Sequence, residues 1–305
     1  MTEHDAEERF GAGGRTLTIG NPGKELYPSG FTKRDLLRYL EGIAPVLLPH
    51  VRSRPASFKR FPDGTGGEGF FQKNAPRGTP DWVRTVVLPS PGSTKGRREV
   101  EYVVVDDLPT LLWAGGQAVL ELHVPQWRVG PRGGVRRPDL LVFDLDPGAP
   151  ATVVECCRVA LELRRMLAED GLRAWPKASG SKGLHLYVPV ASATGARAAR
   201  YARALAERLA RQEPDLVVAR MDRSLRGGRV FVDWNQNNPA RTTVAPYSLR
   251  AGKEPVVAAP VSWEEVGACR SPQELRFPPE EVLARVGRDG DPMADAEDAR
   301  QELPH

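Results

Sequence analysis

Residues Pro138–Gly148 read PDLLVFDLDPG. Leu140, Leu141, Val142 and Phe143 run together as a buried strand would, and the strand then ends in two acids, Asp144 and Asp146, around one leucine. Side chains alternate along a strand, so Asp144 and Asp146 share one face while Leu141, Phe143 and Leu145 share the other. Two carboxylates held that close repel unless something positive lies between them, and a divalent metal is the usual solution. The alternative from this stretch alone is a strand end with two solvated acids before a Pro-Gly turn.

Working outward, the patterning predicts strand 139–146, helix 152–169, strand 172–178, strand 184–189, helix 194–211 and strand 229–234. The order β-α-β-β-α-β is that of the split βαβ or ferredoxin-like unit. Its usual sheet sets the first strand beside the fourth, with both helices on one face and the other face open. In the fourth strand, "RVFVDWNQN", Val230, Val232 and Trp234 alternate with Arg229, Phe231 and Asp233, which puts Asp233 on the acid face. Oxygen ligands with no nearby cysteine suit Mg²⁺ or Mn²⁺ better than zinc. Between the second and third strands lies "KASGSKGLHLYVPV", where Ser179, Gly180, Ser181, Lys182 and Gly183 supply amides, hydroxyls and a cation, the local chemistry of phosphate binding. His185 and Tyr187 alternate with Leu184, Leu186 and Val188, so His185 faces the acids. Alone, such a turn is more often a plain hairpin and such a histidine a packing residue. Opposite three carboxylates they read as a triphosphate contact.

With 305 residues and 40% hydrophobic content the chain can form one large domain or two intimately packed ones. No apolar run approaches the roughly 20 residues of a spanning helix. The start, "MTEHDAEERFGAGGR", is too polar for a signal peptide, which predicts a cytoplasmic protein. Cys156 and Cys157 are adjacent and Cys269 is far away, so neither a CxxC metal site nor a disulfide framework is apparent. The net charge is +4 and the pI about 9.0, with 8 lysines among 43 basic residues, so arginine dominates. Arginine suits phosphate, although a GC-rich genome gives the same bias. Residues 1–14 and 288–305 read as loose, disordered tails. In "FTKRDLLRYLEGIAPVLL" Thr32 is an N-cap, and Leu36, Leu37, Leu40 and Ile43 recur at helical spacing. Strand-like runs follow at "ASFKRF", "GFFQKN", "RTVVLP" and "EVEYVVVDD", the last two flanking an exposed basic loop, "SPGSTKGRR".

"DLDPG", "SGSKGLHLYVPV" and "FVDWNQN", in this order and spacing, resemble the three catalytic motifs of the archaeo-eukaryotic primase superfamily, in particular the polymerase domain of bacterial ligase D. The resemblance continues through "NPGKELYP", "FFQKNAP", "ELHVPQW" and "TTVAPYSLRA", from about residue 15 to residue 285. It implies an α+β fold, with an N-terminal α/β subdomain (15–135) merged with an RRM-like catalytic subdomain (136–287). It implies that Asp144, Asp146 and Asp233 bind two Mn²⁺ or Mg²⁺ ions. Ser179, Lys182, His185 and Arg250 would contact the incoming nucleotide, with His123 close by. Phe70 and Phe71 match residues that stack on the template base and nucleotide, though by themselves one of two consecutive strand aromatics would normally be core. Lys24, Lys33 and Lys73 match lysines near a pocket for a DNA 5′-phosphate.

The activity so implied is template-directed transfer of nucleotides from NTPs or dNTPs, with ribonucleotides preferred. It would fill gaps and extend 5′-phosphorylated ends in non-homologous end joining, at the nucleoid and with Ku. No ligase or phosphoesterase motif is seen, which reads as a stand-alone polymerase needing a separate ATP-dependent DNA ligase. Gap filling in base excision repair is the alternative pathway. A metal-dependent nuclease or phosphoesterase also uses three acids, but has no need of a triphosphate cradle. An RNA-binding module of the same βαββαβ plan would carry aromatics where this face carries acids.

Overall fold

The computed structural model describes residues 7–90, 98–191 and 194–304. Strands β1 (Glu7–Ala12) and β2 (Arg15–Gly20) pair as an antiparallel hairpin around Gly13 and Gly14, both at positive φ. This corrects the expectation of a loose tail over 1–14 as far as residues 7–14 are concerned. Two glycines at positive φ make the tight hairpin turn, Leu17 and Ile19 are buried, and Glu8 pairs with Arg34 at 2.7 Å. Helix α1 (Lys33–Val51) starts at Thr32 through a capping box with Asp35 and buries Leu36, Leu37, Leu40 and Ile43. It packs on α2 (Leu108–Gly116) at a close crossing, where a Cβ on Gly115 would lie 2.7 Å from Leu40 Cδ1.

The N-terminal part is built on a six-stranded sheet of β3 (Pro55–Arg60), β4 (Phe70–Gln72), β5 (Thr85–Pro89), β6 (Glu99–Val104), β7 (Val119–Val124) and the distant β15 (Thr243–Val244). Its order is β15-β7-β3-β6-β5, with β4 added on β3. The basic loop expected at 90–98 falls mostly on residues 91–97, outside the described residues. A separate hairpin, β8 (Trp127–Val129) and β9 (Val135–Pro138), leads into the second sheet.

That second sheet comes from β10 (Leu140–Pro147), α3 (Val153–Glu169), β11 (Trp175–Ala178), β12 (Leu184–Pro189), α4 (Gly195–Gln212), β13 (Val217–Val218) and β14 (Val230–Asp233). The strand order is β11-β12-β10-β14-β13, so the first strand of the β-α-β-β-α-β run lies beside the fourth. β11 is shorter than the expected 172–178, and β13, parallel to β14, is an addition. Leu141, Phe143 and Leu145 are fully buried in the core shared with α3 and α4. Truncating a phenylalanine in such a core costs about 3–5 kcal/mol. Beyond lie β16 (Leu249–Arg250), β17 (Val256–Val257), α5 (Trp263–Ala268) and α6 (Pro279–Asp289).

The C-terminal residues 288–304 also depart from the expected loose tail. Asp291 accepts a hydrogen bond from the Tyr247 hydroxyl at 2.5 Å and lies 3.2 Å from His50 Nε2. Met293 and Ala296 are buried against Val142, Trp175 and Tyr187, and Gln301 donates to the carbonyls of Arg173 and Pro189. The anchors are few, but each finds a partner, so a segment poor in apolar residues still docks. All three cysteines are buried and none forms a disulfide. No helix among the described residues is long and apolar enough to cross a membrane.

Candidate active site

The register of the second sheet brings the acids together. Asp144 on β10 lies opposite His185 on β12 and opposite Asp233 on β14, while Asp146 lies opposite Phe231. Residues paired across strands share a face, so Asp144, Asp146, Asp233 and His185 share one. His185 Nε2 is 3.2 Å from an Asp144 oxygen, and its buried Nδ1 has no hydrogen-bond partner. Gln236, in the turn after β14, donates its amide nitrogen to Asp144 at 3.2 Å and to Asp233 at 3.4 Å. Asn237 exchanges two hydrogen bonds of 2.8 Å with the backbone of Val142, which clamps that turn against β10.

Electrostatically the carboxylates are strained. Burial pushes the Asp146 carboxyl up to about 7, with the charges of Asp144 and Asp233 adding to the shift. Asp233 is raised for the same two reasons, burial first and Asp144 second. Burial also favours a neutral Asp144, but His185, Lys177 and Arg250 outweigh it and keep that carboxyl below its ordinary range. Burial and Lys177 push His185 down to about 4, so it is neutral at neutral pH. A divalent cation would offset this repulsion, and oxygen donors suit Mg²⁺ or Mn²⁺, so the residues fit such an ion chemically. Among the described residues no three His, Cys, Asp or Glu side chains already converge as a preformed metal cage.

Beside the acids, Ser179 to Gly183 form the β11–β12 turn. Ser179 Oγ accepts hydrogen bonds from the amides of Ser181 and Gly183, so the hydroxyl shapes the turn. Gly183 is required: a Cβ there would fall 2.0 Å from the Leu145 carbonyl oxygen. Gly180 has φ +68° and packs on the Arg250 side chain. Lys182 is exposed, with no ion-pair partner among the described residues. A cavity of about 240 Å³ joins His123, Asp144, Asp146, Ser179, Lys182, His185 and Arg250. Asp233 borders it through Asp144 and Gln236.

The six-stranded sheet carries a buried acid beside this cavity, Glu121 on β7, whose side chain is 2% exposed. It lies 2.8 Å from His123 Nε2, 3.1 Å from Arg250 and 3.5 Å from Lys59, and accepts from the Ala251 amide. Burial alone would raise its pKa, yet the His123 hydrogen bond and the Arg250 charge hold it at about 2. Lys177, fully buried, donates to the Val244 carbonyl at 2.7 Å, and burial pushes its pKa far down. Glu121, Lys177 and Gln236 escaped assignment from sequence, although each stands inside a motif already quoted. Strand alternation places Glu121 with His123, and Lys177 lies opposite His185.

Phe70 and Phe71 are 46% and 55% exposed, so neither is core. Phe71 meets the His123 ring edge-on at 5.1 Å between centroids. Lys24 and Lys33 are joined by a backbone hydrogen bond, and Lys33, 9% exposed, donates to the Gly20 carbonyl at 2.8 Å. Lys24 pairs with Asp63 at 3.3 Å. Lys73 is exposed just after β4.

The family model for the LigD primase-polymerase domain matches residues 32–293. The multifunctional non-homologous end joining protein LigD of Mycolicibacterium smegmatis is 43% identical over 283 residues, covering 91% of this chain and 36% of that protein. The bifunctional LigD of Bacillus subtilis is 32% identical over 266 residues, covering 87% of this chain and 41% of its own length. The chain thus spans little more than a third of these curated relatives. Among solved structures, the polymerase domain of Mycobacterium tuberculosis ligase D in complex with DNA superposes with a TM-score of 0.86 at 39% identity, over 93% of this chain and 99% of that one. With the motifs, the mixed α+β fold and these matches in agreement, the chain belongs to the LigD primase-polymerase domain family.

Proposed function

We propose that this chain is a DNA-dependent nucleotidyltransferase that extends a primer 3′-hydroxyl across short gaps and broken ends carrying a 5′-phosphate, in non-homologous end joining. The observation that carries the reading is one cavity holding both Asp144 and Asp146 and the Ser179–Gly183 turn with Lys182 and Arg250. A hydrolase needs the acids alone, whereas a polymerase needs acids and a triphosphate cradle together.

In this reading Asp144, Asp146 and Asp233 are the residues that would hold two Mn²⁺ or Mg²⁺ ions, which would supply charge neutralisation during the transfer. Lys182, Arg250 and the amides of the turn hold the triphosphate and neutralise the charge that gathers on its leaving portion. Glu121 fixes Arg250 and His123, so both are set before the nucleotide arrives. Phe70 and Phe71 offer exposed faces on which bases stack. Lys24, Lys33 and Lys73 form the pocket for the downstream 5′-phosphate. Ku and an ATP-dependent DNA ligase activity are the partners expected in repair.

The test is extension of a labelled primer on a gapped, 5′-phosphorylated duplex, with ribo- or deoxynucleotides, in Mg²⁺ or Mn²⁺. We expect single-nucleotide extension with higher kcat/KM for ribonucleotides. Equal or reversed efficiencies in both metals would remove the sugar preference. Shortening of the DNA without extension would replace the polymerase reading by a nuclease.

A further inference from the structure

The face of the second sheet that carries the carboxylates continues past them, to where Met293 and Ala296 pack on it. Val142 stands two residues before Asp144 on β10 and pairs with Tyr187, two residues after His185 on β12. Alternation keeps both on the face of the acids, about 7 Å further along the strands. There a second cavity of about 540 Å³ opens, lined by Val142 and Tyr187 and sharing Thr243 with the smaller one. The Ser179–Gly183 turn lies at the opposite end, with Gly183 against the Leu145 carbonyl. Asp144 therefore stands between the phosphate-binding turn and the second cavity.

Five arginines line this cavity, Arg54, Arg128, Arg136, Arg137 and Arg300, against the carboxylates Asp139 and Glu297. Arg54 and Arg128 are held by Asp139 at 2.8 and 2.7 Å. Arg136 and Arg300 are exposed and have no ion-pair partner among the described residues. Arg136 comes from the β8–β9 hairpin, which carries four arginines and no acid between residues 127 and 138. The hairpin is fixed to the segment that follows Asp233, because Trp127 Nε1 donates to the Pro239 carbonyl at 3.0 Å.

Nucleotidyl transfer places the attacking and leaving oxygens roughly in line on opposite sides of the phosphorus. With the triphosphate on the Ser179–Gly183 turn, the attacking hydroxyl enters from the side of Val142 and Tyr187. We propose that the arginine-lined cavity seats the primer strand, with Arg136 and Arg300 on phosphodiesters of its last nucleotides. This rests on the reading of the chain as a primer-extending polymerase. Guanidinium forks suit phosphodiesters, and phosphate contacts set the position of a strand without reading its sequence.

The experiment compares wild type with the double variant Arg136→Gln, Arg300→Gln by fluorescence anisotropy on two DNAs. One is a gapped, 5′-phosphorylated duplex with its primer strand, and the other is the same template and downstream strand without the primer. The variant is expected to lose about tenfold in affinity for the first and nothing for the second, with its salt slope on the first lowered by roughly 1–2. Arg136→Lys with Arg300→Lys restores most of the binding, since the charge remains. Equal loss on both DNAs, or no loss on either, overturns the assignment while wild-type extension leaves the polymerase reading standing. A wild-type protein that extends no primer overturns both.

Discussion

At the Asp144 end of the acid-bearing face, Gln236 donates its amide nitrogen to Asp144 and Asp233, the His185 ring lies against Asp144, and Asp146 and Asp233 are pushed toward their neutral forms. At the Leu140 end of the same face, Asp139 is gripped by Arg54 and Arg128, Glu297 by Arg128, and Asp291 by Tyr247 and His50. The strand, its twist and its hydrophobic underside are common to both ends. Only the partners of the acids differ. Paired acids dock the C-terminal residues and the hairpin to the sheet, whereas under-neutralised acids leave a demand for positive charge that a ligand can meet. Stability and function therefore make opposite demands on one chemical group within a few residues.

The largest effect should come from removing an acid at the strained end. Asp233→Ala is expected to lower primer extension at least about a hundredfold, near 2.7 kcal/mol of barrier, while leaving the metal-free melting temperature unchanged or higher. Parallel extension assays and thermal melts in chelator check this, and a clear loss of stability would show that Asp233 is structural. At the paired end the pattern should invert. Asp139→Ala strands the buried Arg54, which is 5% exposed. Leaving a buried charge unpaired costs about 3–5 kcal/mol, and because Asp139 is a third exposed and Arg54 keeps the Pro125 carbonyl, about 2 kcal/mol is expected in denaturant unfolding. An unaffected midpoint would erase the contrast between the two ends.

A pH comparison sharpens it. Asp146 titrates at about 7 in the folded chain and near 3.9 when unfolded, so between those values the folded state holds the extra proton. Its contribution therefore makes metal-free stability fall as pH rises from about 4 to about 7. His185, pushed down to about 4, has the opposite sign over much of that window, so the informative quantity is the difference from Asp146→Asn. In chelator at pH 7.5 the variant should melt higher than wild type by roughly 3 °C, with the advantage shrinking at pH 5. Mn²⁺ should reverse the order, by stabilising wild type alone. A pH-independent difference would detach Asp146 from the repulsion.

The smallest effect lies away from both ends. Lys24→Ala with Lys33→Ala should remove most of the preference for a 5′-phosphorylated over a 5′-hydroxyl gap, a difference of about tenfold at equal salt, because a terminal phosphate carries more charge than a bridging one. Titration of two proteins against two DNA ends decides it. A double variant that keeps the full preference places the pocket elsewhere.

The second sheet was legible because its signals are local and periodic: the alternation around Asp144, Asp233 and His185 placed them on a shared face, and the glycines marked the turn. Phe70 and Phe71 were ambiguous, since two consecutive strand aromatics normally split between core and solvent, and here both are exposed. What stayed hidden depends on distant partners. Glu121 is two residues from His123, yet its role needs Arg250 and Lys59 from other strands. Asp291 looks like one more acid in a polar tail until Tyr247 and His50, both far away in sequence, come to meet it. β1 was lost in a charged N-terminus because only its pairing with β2 gives it a buried side.

The central claim is that the strained carboxylates and the phosphate-binding turn form one active site for primer extension. Its most direct test is a single-turnover assay of a labelled primer on a gapped, 5′-phosphorylated duplex with Mn²⁺ and a ribonucleotide, run side by side for wild type and for Asp144→Ala confirmed folded by its melting curve. One added nucleotide for wild type, none when chelator replaces Mn²⁺, and at least about a hundredfold slower addition by the variant is the predicted result. Near-normal extension by folded Asp144→Ala protein would contradict it.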